Sequence, residues 1–285
     1  MGSPADYATR YDQLEVELEN RTVTVHIRRY HCGAANAKKD ILWTKLKHHF
    51  VQHQKKDPGF SLRLRVDGGS YEMSTFHGME TWIARPFTGK GSPEHCQVVL
   101  QLAVLLGETT AEKMQHYCDA NLGLDCNGFV GNYLYYEDGA HDWMDQPQEG
   151  EGGPNDSMTQ FERRGTVVKN TEDMKPSNTY ICLETSGGKV IPGGKSGVGH
   201  IVITEPGRFM PQSYVFNSFG GMDLNLAKKG AYGHHAFMAV ESTANLGLTQ
   251  SWYAFPKGKS ANGVFKIFRG CKAQWLHFKV VDLGL

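Results

Sequence analysis

Leu124-Asp125-Cys126-Asn127-Gly128-Phe129-Val130 is the stretch on which the reading of this chain turns. Asp125 is a good N-cap, and Phe129, Val130, Tyr133 and Leu134 then follow a helical period, so the spacing predicts a helix beginning at Cys126. A cysteine in that place meets unpaired backbone N–H groups and the positive end of the helix dipole, which favour a thiolate. The same N–H groups can hold a developing oxyanion. Gly128 and Gly131 in one short helix cost about 1 kcal/mol each against Ala, and such a cost implies close packing. On residue type alone, a buried structural cysteine at a helix start is the competing reading.

A thiolate nucleophile needs a histidine as base and a third group to orient the imidazole. His200 opens a strand-like run, Gly199-His200-Ile201-Val202-Ile203-Thr204, after a glycine-rich turn. A later run, Phe237-Met238-Ala239-Val240-Glu241-Ser242-Thr243, carries an acidic residue that can sit beside it. His235 is the alternative base, and Asn217, in Val215-Phe216-Asn217-Ser218, the alternative orienting residue.

Around these segments the pattern is helices, then strands. Ser92 and Pro93 fit the N-cap and first position of a helix over 94–106, and Thr109 fits the cap of a second helix ending at Asn121. Strands are expected at 180–183, 200–204, 214–216, 237–241, 264–268 and 279–281. Towards the N-terminus, two strands flank Asn20-Arg21 within 12–30. A helix with one basic face spans 37–56, a strand 61–66, and another strand or two 70–85. The fold class is α+β. The expected organisation is a small α+β lobe over 1–90, with no chemistry of its own, and a second domain over 91–285. Residues 137–178, rich in Gly, Pro, Asp and Asn, read as one long loop. With Tyr135, Tyr136 and Trp143 it either lines a substrate groove or is a disordered insertion.

The order of these elements resembles the NlpC/P60 superfamily of papain-like cysteine peptidases and amidases, over roughly residues 105–270. That family's nucleophile box reads approximately Asp-Cys-Ser-Gly-hydrophobic-Val, against Asp125-Cys126-Asn127-Gly128-Phe129-Val130 here. Its histidine opens a strand of alternating aliphatics, as His200-Ile201-Val202-Ile203 does. Its third polar residue lies on the next strand, where Ala239-Val240-Glu241-Ser242 fits. Two departures stand out: Asn127 replaces the usual Ser, and the stretch between His200 and Glu241 is much longer than the family's hairpin. The resemblance implies a nucleophile helix packed on an antiparallel sheet. It also implies Cys126 as nucleophile, His200 as base, Glu241 as orienting residue, and a thiol hydrolase of peptide or amide bonds, often those of peptidoglycan peptides. Related scaffolds support acyltransferases, deamidases and isopeptidases. A catalytically dead binding module, and a redox protein with Cys118 as resolving thiol, are the readings from other classes.

Composition narrows the field. The chain has 285 residues, 40% hydrophobic and 21% charged, which excludes collagen, coiled coil and wholesale disorder. Lys+Arg and Asp+Glu are both 30, so there is no basic excess to suggest a nucleic-acid partner. The six cysteines contain no CxxC pair, which argues against structural zinc and for free thiols in a reducing compartment. The 33 glycines concentrate after residue 120 and fit many tight turns. No apolar signal segment opens the chain, and the longest apolar run, 98–106, is too short to span a bilayer. The expectation is a protein without a membrane partner, cytoplasmic or exported without a cleaved signal. Gly193-Gly194-Lys195-Ser196 lacks the first glycine of a phosphate-binding loop, because position 189 is Lys. His49 and His53 are four apart on the basic helix but lack a third ligand nearby. No cofactor and no catalytic metal are expected.

Overall fold

The computed structural model describes residues 2–33, 37–170, 173–192, 199–211, 235–254, 264–269 and 272–285. They form two compact units. One comprises Met1–Ala5, Gln148–Glu241 and Thr249–Leu285, and the other Asp6–Pro147 and Ser242–Leu248. The division therefore falls at 147/148, where 90/91 is expected from the sequence, because the helix that follows residue 90 packs on strands that precede it.

The helical unit contains most of α1 (Pro4–Asp12) and then β1 (Leu14–Glu17), β2 (Thr22–Val25), α2 (Ala37–Lys56), β3 (Leu62–Val66), β4 (Gly69–Met73), α3 (Met79–Ala84), α4 (Pro93–Leu105), α5 (Met114–Asn121) and α6 (Cys126–Asn132). β1 and β2 pair antiparallel from Leu14 opposite Val25 to Glu17 opposite Thr22. β3 alternates as its sequence requires, with Leu62, Leu64 and Val66 buried and Arg63 and Arg65 exposed. α2 buries Leu42, Leu46 and Phe50 at helical spacing. α4 is buried from Pro93 to Ala103 and packs on β1 and β3. It starts where expected: Ser92 Oγ accepts from His95 N and the His95 ring closes a capping box.

Three local expectations change. Of 70–85, only Gly69–Met73 is strand; 79–84 is helix, because Met79, Trp82 and Ile83 bury at i, i+3, i+4 spacing. Thr109 caps nothing: a 3₁₀ turn, Ala111–Lys113, precedes α5 and takes Thr110 as its N-cap, without a side-chain bond. The helix α1 is an addition, and it buries Tyr7 and Tyr11 one turn apart.

The other unit is a sheet. Its elements are α7 (Met158–Glu162), β5 (Thr166–Val167), β6 (Tyr180–Ser186), β7 (Lys189–Val190), β8 (Ile201–Pro211), β9 (His235–Thr243), β10 (Gly247–Ala254), β11 (Val264–Arg269) and β12 (Lys272–Asp282). The strand order is β5-β12-β11-β10-β9-β8-β6-β7, and β12 also pairs with β6. The pairing of β6, β8, β9, β10, β11 and β12 thus closes on itself, which removes the open edges that invite aggregation. β6 runs antiparallel to both β8 and β12, with Cys182 opposite Val202 on one side and Val280 on the other. Tyr180, Cys182, Val202, Phe237, Ala239, Tyr253, Phe278 and Val280 cluster inside, two residues apart along each strand. The expected strand at 214–216 lies outside the described residues, as does Gly193-Gly194-Lys195-Ser196.

The fold class is mixed α+β with antiparallel sheets. The long loop over 137–178 is not one featureless segment. It begins in a π-helical turn, Tyr133–Asp138, and carries α7, whose Ser157 and Gln160 form a capping box, and β5. Trp143 is buried against Tyr71 and Trp82, with ring centroids 5.3 and 5.2 Å away, so it serves as core. Among the described residues no helix is long and apolar enough to cross a membrane.

Candidate active site

Cys126 is the first residue of α6 in the helical unit and is 6% exposed. Asp125 stands before it in extended backbone, and its Oδ1 accepts from Gly128 N at 2.5 Å. Lys90 Nζ donates to both oxygens of that carboxylate, at 2.9 and 2.8 Å. The approach to the helix is fixed from several sides: Leu124 N donates to Arg29 O, Asp125 N to Gly89 O, and Ser242 Oγ to Leu124 O at 2.5 Å. The expected reason for Gly128 is visible. A Cβ built there would lie 1.9 Å from Gly89 O, so the carbonyl of the 86–90 turn rests directly on the first turn of α6.

Burial pushes the Asp125 carboxyl above its ordinary 3.8, against the opposing pull of Lys90 and of the Gly128 N–H. Lys90→Met should therefore cost about 3 kcal/mol at pH 7, by stranding a buried carboxylate. A carboxyl that binds its proton more tightly when folded than when unfolded loses stability as the pH rises past its unfolded value. The difference between Lys90→Met and wild type should accordingly shrink towards pH 4, measured by urea unfolding at both pH values.

The second group of residues lies in the sheet unit. His200 immediately precedes β8 and, with Val202 and Thr204, occupies alternate positions. Glu241 continues the interior set Phe237, Ala239 on β9. Its side chain is fully buried, and Oε2 lies 2.6 Å from His200 Nε2. Tyr253 Oη donates to the same oxygen at 2.9 Å, and Ser251 Oγ donates to Oε1 at 2.7 Å. A buried carboxylate with three donors is satisfied as an anion, and it orients the imidazole edge-on. With Nε2 committed to the carboxylate, proton exchange with a substrate falls to Nδ1. The Glu184 carboxyl is raised by burial and drawn down by His200, and its backbone N–H donates to His200 O at 2.8 Å.

The structure thus joins His200 to Glu241 within one unit, and places Cys126 at the helix start in the other. Asn217 lies outside the described residues, and His235, the first residue of β9, is described in its backbone alone. Cys118 is buried in α5 and its Sγ contacts His26 O at 3.6 Å. Ser251 and Tyr253 are the residues that sequence reasoning does not reach. Comparison of the chain with protein-family models, with curated proteins and with solved structures finds no match in any of the three.

Proposed function

We propose that this chain is a cysteine-dependent amide hydrolase of papain-like, NlpC/P60 type, acting on peptide or amide bonds such as those of cell-wall peptides. The observation that carries the reading is the His200–Glu241 pair. A fully buried carboxylate, itself held by Ser251 and Tyr253, fixes one ring nitrogen of a histidine that is 16% exposed. Side chains rarely bury a charge at the end of a sheet interior without a task for it. Cys126 at the start of α6 supports the same reading from its own unit, since backbone N–H groups there favour both thiolate and oxyanion.

In this mechanism Cys126 Sγ attacks the carbonyl carbon and the C=O electron pair moves to oxygen, held by N–H groups of α6. Collapse of the tetrahedral species breaks the C–N bond, and the leaving amine takes a proton from His200 Nδ1. Water then gives a proton to His200, attacks the thioester carbon and releases the thiolate. Glu241 keeps the imidazole in one tautomer and balances its positive charge.

The test is iodoacetamide labelling of each cysteine against pH, followed by mass spectrometry, in wild type and His200→Ala. Cys126 should label fastest and well below the pH of about 8.5 at which a free thiol ionises, and should lose that advantage in the variant. Labelling that is indifferent to His200 refutes the thiolate–imidazole pair.

A further inference from the structure

The helical unit holds a second cysteine beside the proposed nucleophile. Leu124 N donates to Arg29 O at 2.9 Å and His31 N donates to Leu124 O at 3.4 Å. These two bonds hold the 29–31 segment against Leu124, two residues before Cys126. The two segments stay in contact one residue further on: the position a Cβ would take on Gly89 lies 1.9 Å from His31 O and 2.9 Å from Asp125 N, and Cys32 and Cys126 are the residues that follow each. Cys32 is near enough to both Asp125 and Cys126 to feel their charges. Neither cysteine is in a disulfide, and Cys32 is exposed. Cys118, the resolving thiol suggested by sequence spacing, is instead buried in α5.

We infer that Cys32 is the resolving thiol of a peroxide-sensitive pair with Cys126, a modification site that reversibly blocks the nucleophile. The inference deepens the hydrolase reading, because the thiol it blocks is that reading's nucleophile. The oxidant is hydrogen peroxide. The Cys126 thiolate attacks one peroxide oxygen, the S–O bond forms as the O–O bond breaks, and hydroxide leaves to be protonated to water. Cys32, its proton passing to solvent or to Asp125, then attacks the sulfenic sulfur; the S–S bond forms, the S–O bond breaks, and a second water departs. Two electrons leave the thiol pair and reduce one peroxide to water. Partial burial and the Asp125 charge hold the Cys32 thiol above its ordinary value, which suits a thiol that resolves rather than initiates.

The experiment is peroxide treatment of the whole chain, thiol blocking, and non-reducing peptide mapping by mass spectrometry, in wild type and Cys32→Ser. Wild type should yield a peptide joining Cys32 to Cys126, lose iodoacetamide labelling at Cys126, and regain it with dithiothreitol. Cys32→Ser, with unchanged circular dichroism, should instead trap dimedone on Cys126 and pass to sulfinic acid that dithiothreitol does not reverse. Wild type without the Cys32–Cys126 peptide, or the same fate of Cys126 in both proteins, overturns the inference. The hydrolase reading fails separately, through labelling indifferent to His200, and that result leaves the mapped bond unaffected.

Discussion

Glu241→Leu should lower any amide hydrolysis by about 10²–10⁴, the contribution expected of a positioned general base, and should slow the labelling of Cys126 below pH 7. It should also destabilise the sheet unit by about 2–5 kcal/mol. The two effects have one source. Glu241 accepts from His200 Nε2, Tyr253 Oη and Ser251 Oγ inside the sheet. Leucine leaves two buried hydroxyls without their acceptor, at about 1–3 kcal/mol each, and lets the imidazole turn. Glu241→Gln separates the causes. Its carbonyl can still accept from His200 and Tyr253, and the Ser251 hydroxyl can reverse to accept from the amide. The glutamine variant should therefore keep most of the stability and the ring orientation while losing the charge. If orientation matters most, Gln retains most of the rate. If the charge stabilises the imidazolium, Gln falls nearly as far as Leu. Denaturant unfolding and labelling kinetics on the three proteins decide this, and equal labelling in all three removes Glu241 from the site.

The parts of the molecule legible in the sequence are those specified by local chemistry. Ser92 and Pro93 announce α4, and Asp125 announces α6, because a cap bonds N–H groups only a few residues away. β3 is legible because one face is buried and the other is solvated. β10 is not, and its function explains why. The interior positions Ser251 and Tyr253, which would otherwise be plainly apolar, carry hydroxyls that serve Glu241, so the alternation that marks a strand is broken. α3 is six residues long, follows Gly78 in the left-handed region and has no side-chain cap, so the i, i+3, i+4 spacing of Met79, Trp82 and Ile83 spans too short a stretch to separate it from a strand. The pairing of β12 with β6, which closes the sheet, joins segments about a hundred residues apart, and no local pattern encodes it. The same holds for the 242–248 tip of the β9–β10 hairpin, which belongs with the helical residues through bonds such as Ser242 to Leu124.

Gly128→Ala should be among the most damaging single substitutions in the helical unit, costing about 3 kcal/mol or more although alanine is the better helix former. Intrinsic propensity alone predicts a gain of about 1 kcal/mol at an interior position. The opposing effect is steric. The new Cβ would sit 1.9 Å from Gly89 O and 3.0 Å from both Gly89 C and Asp125 Oδ1, so the carbonyl must withdraw. Withdrawal breaks the 3.0 Å bond from Asp125 N to Gly89 O and disturbs the carboxylate that caps Gly128 N and binds Lys90. The turn has little room to yield, because Gly89 itself has φ +80° and its own Cβ position is only 1.9 Å from His31 O. Overpacking that cannot relax costs about 1–3 kcal/mol, and the broken bonds add to it. Gly59→Ala is the control: its Cβ would meet only Asp57 Oδ1, at 3.4 Å, so stability should change by less than about 0.5 kcal/mol. Urea unfolding of both variants, followed by tryptophan fluorescence, compares them. Equal stability in Gly128→Ala and Gly59→Ala would mean that the 86–90 turn does not rest on α6. A loss confined to Gly128→Ala, accompanied by slower labelling of Cys126, would tie the turn to the placement of the thiol.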